Sequence, residues 1–231
     1  MISDWLVFWD KPQSIYVNAR HKDVHYRLIA EELATLVPSQ TARALDYGCG
    51  EALHADLVAA APGELLLCDG APSVRSAVGA RFAGNPKIRA LAPEEVERLP
   101  DQSLNFIVLH SVAQYLTAEQ TQSLLGLFHR LLQPTGILLV SDVIPPQNTA
   151  ATDVAALLRF GAANGFLFAA MGGVIRTVFS DYRRIRASIG LTYYSEAAMT
   201  EKLGAAGFTA QRAAKNIGHN QARMAFIARL R

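Results

Sequence analysis

Apolar and polar positions change their period several times along the chain. Over residues 22–37, Val24, Leu28, Ile29, Leu33 and Leu36 recur at helical spacing, and Pro38 stops the run. From Ala42 onward short apolar runs alternate with helical patterns. Ala42–Tyr47, Glu64–Cys68, Ile88–Leu91, Leu104–Leu109 and Gly136–Ser141 read as five strands. Ala52–Ala61, Pro72–Phe82 and Thr117–Leu132 read as helices, with Pro72 at a helix start and Thr117 and Gln120 spaced as a capping box. Such alternation implies a parallel sheet covered on both faces. Right-handed crossovers place the strand C-termini along one edge, where ligands bind.

Beyond Pro145 and Pro146 the pattern changes. Residues 150–188 read as continuous helix, an insertion over the ligand edge. Ser195–Ala206 is a further helix, capped by Ser195 and closed by Gly207. Phe208–Arg212 and Met224–Ala228 read as two strands around a loop with Asn216, Gly218 and Asn220, which predicts an antiparallel hairpin at one end of the sheet. The expectation is one domain over 1–231: an N-terminal helical lid segment (1–40), a core (41–149), a helical cap insertion (150–190), and a final helix with hairpin (191–231).

Composition narrows the class. The 231 residues are 51% hydrophobic, spread along the whole length, so a packed core and not disorder is expected. Cys49 and Cys68 fall in expected core segments and make no disulfide framework. The opening MISDWLVFWD lacks a basic region and reads as a poor signal peptide. Together these predict a cytoplasmic protein. Net charge is +2 but uneven: residues 1–175 hold 12 Lys/Arg against 17 Asp/Glu, net −5, and residues 176–231 hold 10 against 3, net +7. The basic quarter suits an anionic substrate or a membrane surface, or is simply solvated Arg. The uncharged FGAANGFLFAAMGGVI between Arg159 and Arg176 is shorter than the roughly 20 residues needed to span a bilayer. It reads as a buried or interfacial element, with peripheral membrane contact through 159–186 as one option.

Candidate chemistry begins at ALDYGCGEA, residues 44–52. An apolar strand ends at Asp46, Gly48 and Gly50 follow, and a helix begins near Glu51. Glycines permit the tight turn and close backbone approach to a ligand. Leu53 stands where a dinucleotide fingerprint needs its last glycine, which disfavours a pyrophosphate cradle. Asp69 ends the second strand about 20 residues after the first glycine, where an acid can accept both hydroxyls of a ribose. Asp46 is placed to anchor a cationic or amino group. The ordinary alternatives are a helix cap for Asp69 and a turn carboxylate for Asp46.

DYGCGEA, LLLCDGAPSVRSA, LPDQSLNFIVLHSVAQYL and LLQPTGILLVSDVIPP, in this order and spacing, resemble the motifs of class I S-adenosylmethionine-dependent methyltransferases. The likeness covers about Ala42–Val143, with YYSEAAMTEKLGAAGF resembling the helix before the final hairpin. It implies an α/β, Rossmann-like, seven-stranded, mostly parallel sheet with an antiparallel C-terminal hairpin strand, helices on both faces and a helical lid insertion. It also implies that S-adenosylmethionine is the cofactor, S-adenosylhomocysteine its product. The glycine turn of Asp46, Gly48, Cys49 and Gly50 would underlie the methionine and ribose. Asp69, with Gly70 and Ala71, would hold the ribose. Ala92, Glu94 and Val96 would flank the adenine, with Glu95 an alternative to Glu94. His110, Ser111 and Val112 would face the methyl group. Ala52 replaces a frequent third glycine, and Asn105 stands where the fourth strand often carries Asp.

Methyl transfer from a sulfonium is an in-line displacement, so alignment and water exclusion matter most and a base only when the acceptor loses a proton early. His110 and Tyr115 are the catalytic candidates, each with a structural role as its alternative. Tyr16, His21 and Tyr26 are candidates to line a lid over the cofactor, or belong to an amphipathic surface helix. His21 and His25 have metal-binding spacing but no third ligand, so no metal is expected. Leu157, Phe160, Phe166, Leu167, Phe168, Met171, Val174, Ile175 and Phe179 form an apolar set followed by Arg176, Tyr182, Arg183, Arg184 and Arg186. That set predicts a small, hydrophobic acceptor, with or without an anionic group, beneath a helical lid; packing on the sheet or at a dimer interface serves as well. HSVAQY lacks the Asn/Asp-Pro-Pro-Tyr type of element of base-modifying relatives, and no nucleic acid partner is expected. A non-catalytic S-adenosylmethionine-binding protein on the same fold is the alternative function, and an NAD-linked enzyme a weaker one.

Overall fold

The computed structural model describes residues 4–11, 15–61, 63–177 and 190–231. Seven strands form one sheet: β1 (Arg43–Tyr47), β2 (Glu64–Cys68), β3 (Ile88–Leu91), β4 (Leu104–His110), β5 (Leu132–Val143), β6 (Phe208–Arg212) and β7 (Met224–Leu230). Their order is β3-β2-β1-β4-β5-β7-β6. The first five pair in parallel, and β7 enters antiparallel between β5 and β6, so β7 is the reversed strand. Strand order reverses between β1 and β4, which opens a crevice at their C-terminal ends.

Successive strand residues point to opposite faces, and both faces are covered, which is why the strands read as unbroken apolar runs. Leu45, Leu66, Ile107, Leu138 and Phe226 pack on one face against α6 (Ala118–Leu131) and α9 (Glu196–Ala205) through Leu125, Phe128, Met199 and Leu203. Ala44, Leu65, Leu67, Phe106 and Leu139 pack on the other. Their partners there lie on α2 (Ala19–Ala34), α3 (Ala55–Ala59) and α4 (Pro72–Arg81): Ile29, Leu33, Val58 and Val78.

Caps set several boundaries. Thr117 Oγ1 accepts from Gln120 N at 3.2 Å while Gln120 Oε1 accepts from Thr117 N at 2.8 Å, the reciprocal box expected for α6. Ser195 Oγ accepts from Ala198 N at 3.1 Å and starts α9. Asn18 Oδ1 accepts from His21 N at 2.8 Å, which starts α2 earlier than the apolar spacing suggests.

Four elements differ from expectation. A helix α1 (Asp4–Trp9) precedes α2; six residues are too few to display a period. Ala52 has φ +43°, which is incompatible with helix, so α3 begins only at Ala55. β5 begins at Leu132 and not Gly136. Leu132 pairs with Leu104, and the register then shifts before Phe106 meets Ile137, so Pro134 lies in an irregular stretch where its missing N–H costs no ladder bond. Asn105 braces that stretch, accepting from Arg43 N at 2.8 Å and donating to Gln133 Oε1 at 2.6 Å.

The insertion is two helices, α7 (Ala150–Asn164) and α8 (Leu167–Thr177), where one continuous helix was expected. Gly165, at φ +75°, terminates α7. Phe160, Phe166 and Ala170 bury themselves against Val24 and Leu28 of α2. The remainder of the expected helix, with Phe179, Tyr182, Arg183, Arg184 and Arg186, lies outside the described residues. Among the described residues no helix is long and apolar enough to cross a membrane.

Candidate active site

The crevice between β1 and β4 widens into a continuous cavity of about 1790 Å³. Its first wall is the turn after β1. Gly48 and Gly50 have φ of +81° and +56°, the left-handed region that glycine enters without strain. A Cβ on Gly48 would lie 2.3 Å from Val112 Cγ2, so the turn and the segment after β4 touch because that position has no side chain. Ala52 holds φ +43° without being glycine, a strained residue beside the site.

The turn is lashed to the end of β2. The amides of Gly48 and Cys49 donate to Cys68 O at 2.7 and 3.0 Å. Asp69 Oδ2 accepts from Gly50 N at 3.0 Å and Oδ1 from Ala71 N at 2.9 Å. Burial raises the Asp69 pKa, opposed by those two amides and by Arg75. Asp46 is raised to about 7 by burial and then by Asp69, and no neighbouring cation offsets this. Two carboxylates therefore face one cavity end, one of them close to half protonated at neutral pH. Burial keeps the Cys49 thiol protonated and deprives it of nucleophilic character.

α1 covers this end. Leu6 lies against Gly70, where a Cβ would meet Leu6 Cδ2 at 2.4 Å. Trp5 and Trp9 contact the Tyr115 ring with centroids 4.5 and 5.6 Å apart. Tyr26 Oη accepts from Glu51 N at 3.1 Å, and burial raises its pKa to about 12. Tyr16 packs on Tyr26, its pKa raised chiefly by burial.

The opposite end is polar in an unusual way. His21, His25 and His219 gather with centroid separations of 5.8 to 6.4 Å. His21 stacks on Phe166 at 4.9 Å, and His219 stacks on Phe160 at 4.5 Å. Burial, aided by His219, lowers His21 to about 4 and His25 to about 3, so both are neutral at pH 7. Val17 N donates to His21 Nδ1 at 3.3 Å, and His25 Nδ1 is buried without a partner. Beside them Arg223 forks between Asp142 Oδ2 at 2.6 Å and Asp153 Oδ1 at 3.4 Å. Burial alone would raise the Asp142 pKa; Arg223, His110 and the Ser111 hydroxyl outweigh it and lower it. Ser111 and Asp142, joined by a hydrogen bond, have φ of +58° and +60°, so strain concentrates at this edge.

Of the sequence-predicted residues, Asp46, Gly48, Cys49, Gly50, Asp69, Gly70, His110, Ser111, Tyr115, Tyr16 and His21 line the cavity. Ala71 lies just behind, holding Asp69. Ala92, Glu94 and Val96 are not in the wall: Val96 is wholly buried in the core, Glu94 is exposed, and Pro93 from that segment lines the cavity instead. Glu95 Oε2 accepts from Ala92 N at 2.7 Å and is engaged as the cap of α5 (Pro93–Glu97). Sequence reasoning missed His219, Asp142, Asp153, Arg223 and the two tryptophans. His219 sat in a loop whose Asn and Gly already explained themselves as turn residues. Among the described residues no group of three His, Cys, Asp or Glu is placed to hold a metal. On α8, Phe168, Met171 and Ile175 are exposed, while Val174 joins the cavity wall.

Residues 45–140 match the family model described as a methyltransferase domain. No curated protein sequence matches the chain. Among solved structures the fold is similar to that of the YcgJ protein from Bacillus subtilis, at 16% identity and TM-score 0.57, over 81% of this chain and 70% of that one. It is similar to magnesium protoporphyrin IX methyltransferase (ChlM) from Synechocystis PCC 6803 with bound SAH, at 15% identity and TM-score 0.60, over 98% and 93% of the two chains. It is also similar to DhpI in its SAH complex, at 12% identity and TM-score 0.61, over 97% and 94%.

Proposed function

We propose that this chain, whose residues 45–140 match a methyltransferase domain, is a class I S-adenosylmethionine-dependent methyltransferase that methylates a small, hydrophobic acceptor. One observation carries the reading: a single cavity joins the glycine turn to the histidine end. At about 1790 Å³ it exceeds the roughly 300–1,000 Å³ usual for one ligand, so it has room for two reactants side by side.

The residues present fit the cofactor. At Gly48 and Gly50 a side chain would strike Val112 and Tyr26, so the turn keeps its tight, positive-φ path only with glycine. Asp69 is the acceptor for ribose hydroxyls, backed by Gly70 and Ala71. Asp46, buried beside another acid, gains from a cationic neighbour. When bound, S-adenosylmethionine supplies a methyl group activated by positive sulfur. The chain's own work is to orient the acceptor and to exclude water. α1 does the second with Trp5, Leu6 and Trp9, all in the cavity wall. Val154, Leu157 and Val174 of the inserted helices give the acceptor its apolar surroundings. Solved relatives of this fold crystallise with SAH, which supports the cofactor assignment.

Calorimetric titration of S-adenosylmethionine and S-adenosylhomocysteine tests this. Micromolar binding is expected, weakened about 10- to 100-fold by Asp69→Ala through loss of hydrogen bonds to a charged group. Folded wild-type protein that binds neither compound would overturn the reading. With binding established, labelled methyl transfer to a panel of lipophilic phenols and acids identifies the acceptor.

A further inference from the structure

His110 adjoins the glycine turn, yet both its nitrogens are engaged. Nδ1 lies 2.9 Å from Ser141 Oγ and Nε2 3.4 Å from Ser111 Oγ. The Ser111 hydroxyl donates to Asp142, so it accepts from His110, and the ring is held as a neutral Nε2–H tautomer. His219 is different. It lines the cavity, and among the described residues neither ring nitrogen has a hydrogen-bond partner. Both its neighbours are pinned: Gly218 N donates to Glu32 Oε2 at 2.6 Å, and the Asn220 side-chain Nδ2 donates to Asp153 Oδ1 at 2.8 Å. Its ring is held flat on Phe160, only 14° from parallel.

Resting on the methyl-transfer reading above, we propose that His219 takes the proton from the acceptor. The end of the cavity lined by His21, His25 and His219 then receives an uncharged aromatic compound bearing an O–H group. The His21 and His219 rings, each backed by a buried phenyl ring stacked behind it (Phe166 and Phe160), are held as fixed flat surfaces suited to a ring. Among the described residues the cation at this end, the Arg223 guanidinium, is already committed to Asp142 and Asp153.

The charged and titratable groups facing His219 are His21 and His25 from α2, His110 from β4, Asp142 from β5, Asp153 from α7, and Arg223 before β7. Burial comes first among the influences and lowers its pKa. Asp142 and Asp153 work the other way and favour the imidazolium, a support that His21 lacks. The balance is simple. An oxygen lone pair of the acceptor forms the O–C bond to the donor's methyl carbon as the C–S bond breaks, its electron pair remaining on sulfur. The O–H proton passes to a His219 nitrogen and then to solvent.

The probe is 4-hydroxyacetophenone, a phenol that is largely un-ionised at neutral pH. Its binding to protein loaded with S-adenosylhomocysteine is read by quenching of Trp5 and Trp9, the chain's two tryptophans, both in the cavity wall. Saturable quenching is expected, weakened about 3- to 10-fold by Phe166→Ala and changed less than about threefold by His219→Gln. With S-adenosylmethionine, His219→Gln is expected to lower kcat about 100-fold or more at little-changed KM and to abolish the acid limb of the pH profile. Added imidazole partly restores His219→Ala, a rescue that a packing role would not give. Calorimetry of S-adenosylhomocysteine on each variant checks that the site is folded, and loss of that binding in the wild type would indict the methyltransferase reading itself. Intact cofactor binding without quenching would overturn the aromatic acceptor. Wild-type kcat and pH profile in His219→Gln would overturn the role of His219.

Discussion

Asp10 Oδ1 accepts a hydrogen bond from the Ser73 amide at 2.8 Å, and the Ser73 hydroxyl donates back to Asp10 O at 3.2 Å. One residue after α1 thus caps the first turn of α4, and the roof of the cavity is fastened to the helix that follows Asp69. Asp10→Ala should leave the unfolding midpoint almost unchanged and speed S-adenosylhomocysteine release roughly threefold or more in stopped-flow displacement. The Asp10 pKa lies below its usual value because of the Ser73 backbone bond, so the grip is the same at pH 6 and 8 and is lost only in acid below it.

The contact of Gly48 with Val112 sets a second expectation. Gly48→Ala places a methyl 2.3 Å from Val112 Cγ2 at a residue with φ +81°. Crowding and backbone strain together should cost about 2–4 kcal/mol in urea unfolding. Adding Val112→Ala should return only the crowding part, because the dihedral cost remains.

Asp46 gives a dependence on pH with a definite sign. Its folded pKa of about 7 stands above the 3.8 of an ordinary Asp, so the folded state binds its proton more tightly. The resulting destabilisation grows as pH rises from 4 to 7 and is complete above 7. Asp46→Asn should therefore be more stable than wild type at pH 8, by on the order of 2–4 kcal/mol, and should bind S-adenosylmethionine less tightly. In the wild type, binding of the cationic cofactor at pH 6 should release close to one proton and at pH 8 almost none. Calorimetry in buffers of different ionisation enthalpy measures this.

The buried histidines act in the opposite direction. His21 and His25 titrate near 4 and 3 when folded and near 6.5 when unfolded. Below pH 6.5 the unfolded chain takes up two protons that the folded chain refuses, and Asp46 in the folded chain offsets one of them. His110 and His219, also lowered by burial, add to that uptake, so stability should fall as pH drops from 6.5 to 4. His25→Asn should make that limb shallower; an unchanged slope in urea midpoints would show that His25 is not buried neutral.

The sheet and its cofactor edge were legible because each rests on short-range signals. Alternating apolar runs, a glycine turn with its steric demand, and Asp69 at a strand end are all local. Asn105, odd as a replacement, proved to be a brace between β1 and the start of β5. The histidine end was not legible, because it is assembled from α2, α7 and the loop before β7, elements up to about 200 residues apart, and no single window contains two of its walls. The break at Gly165 was missed because glycine inside an apolar helical run costs little until φ turns positive. Of the segment expected to flank an adenine, the structure presents Pro93 to the cavity and turns Val96 into the core.

The arginine fork binds Asp142, at the end of β5, to Asp153, on the first inserted helix, from a loop position that belongs to neither. That clamp ties the histidine end of the cavity together as a unit of its own. His21, His25 and His219 of its wall, and Phe160 and Phe166 stacked behind them, all fall outside residues 45–140, and the glycine turn and Asp69 fall inside. Substrate preference can then be re-tuned, by evolution or by chimaera construction, through exchange of the loop before β7 together with α7, with the donor half left as it is.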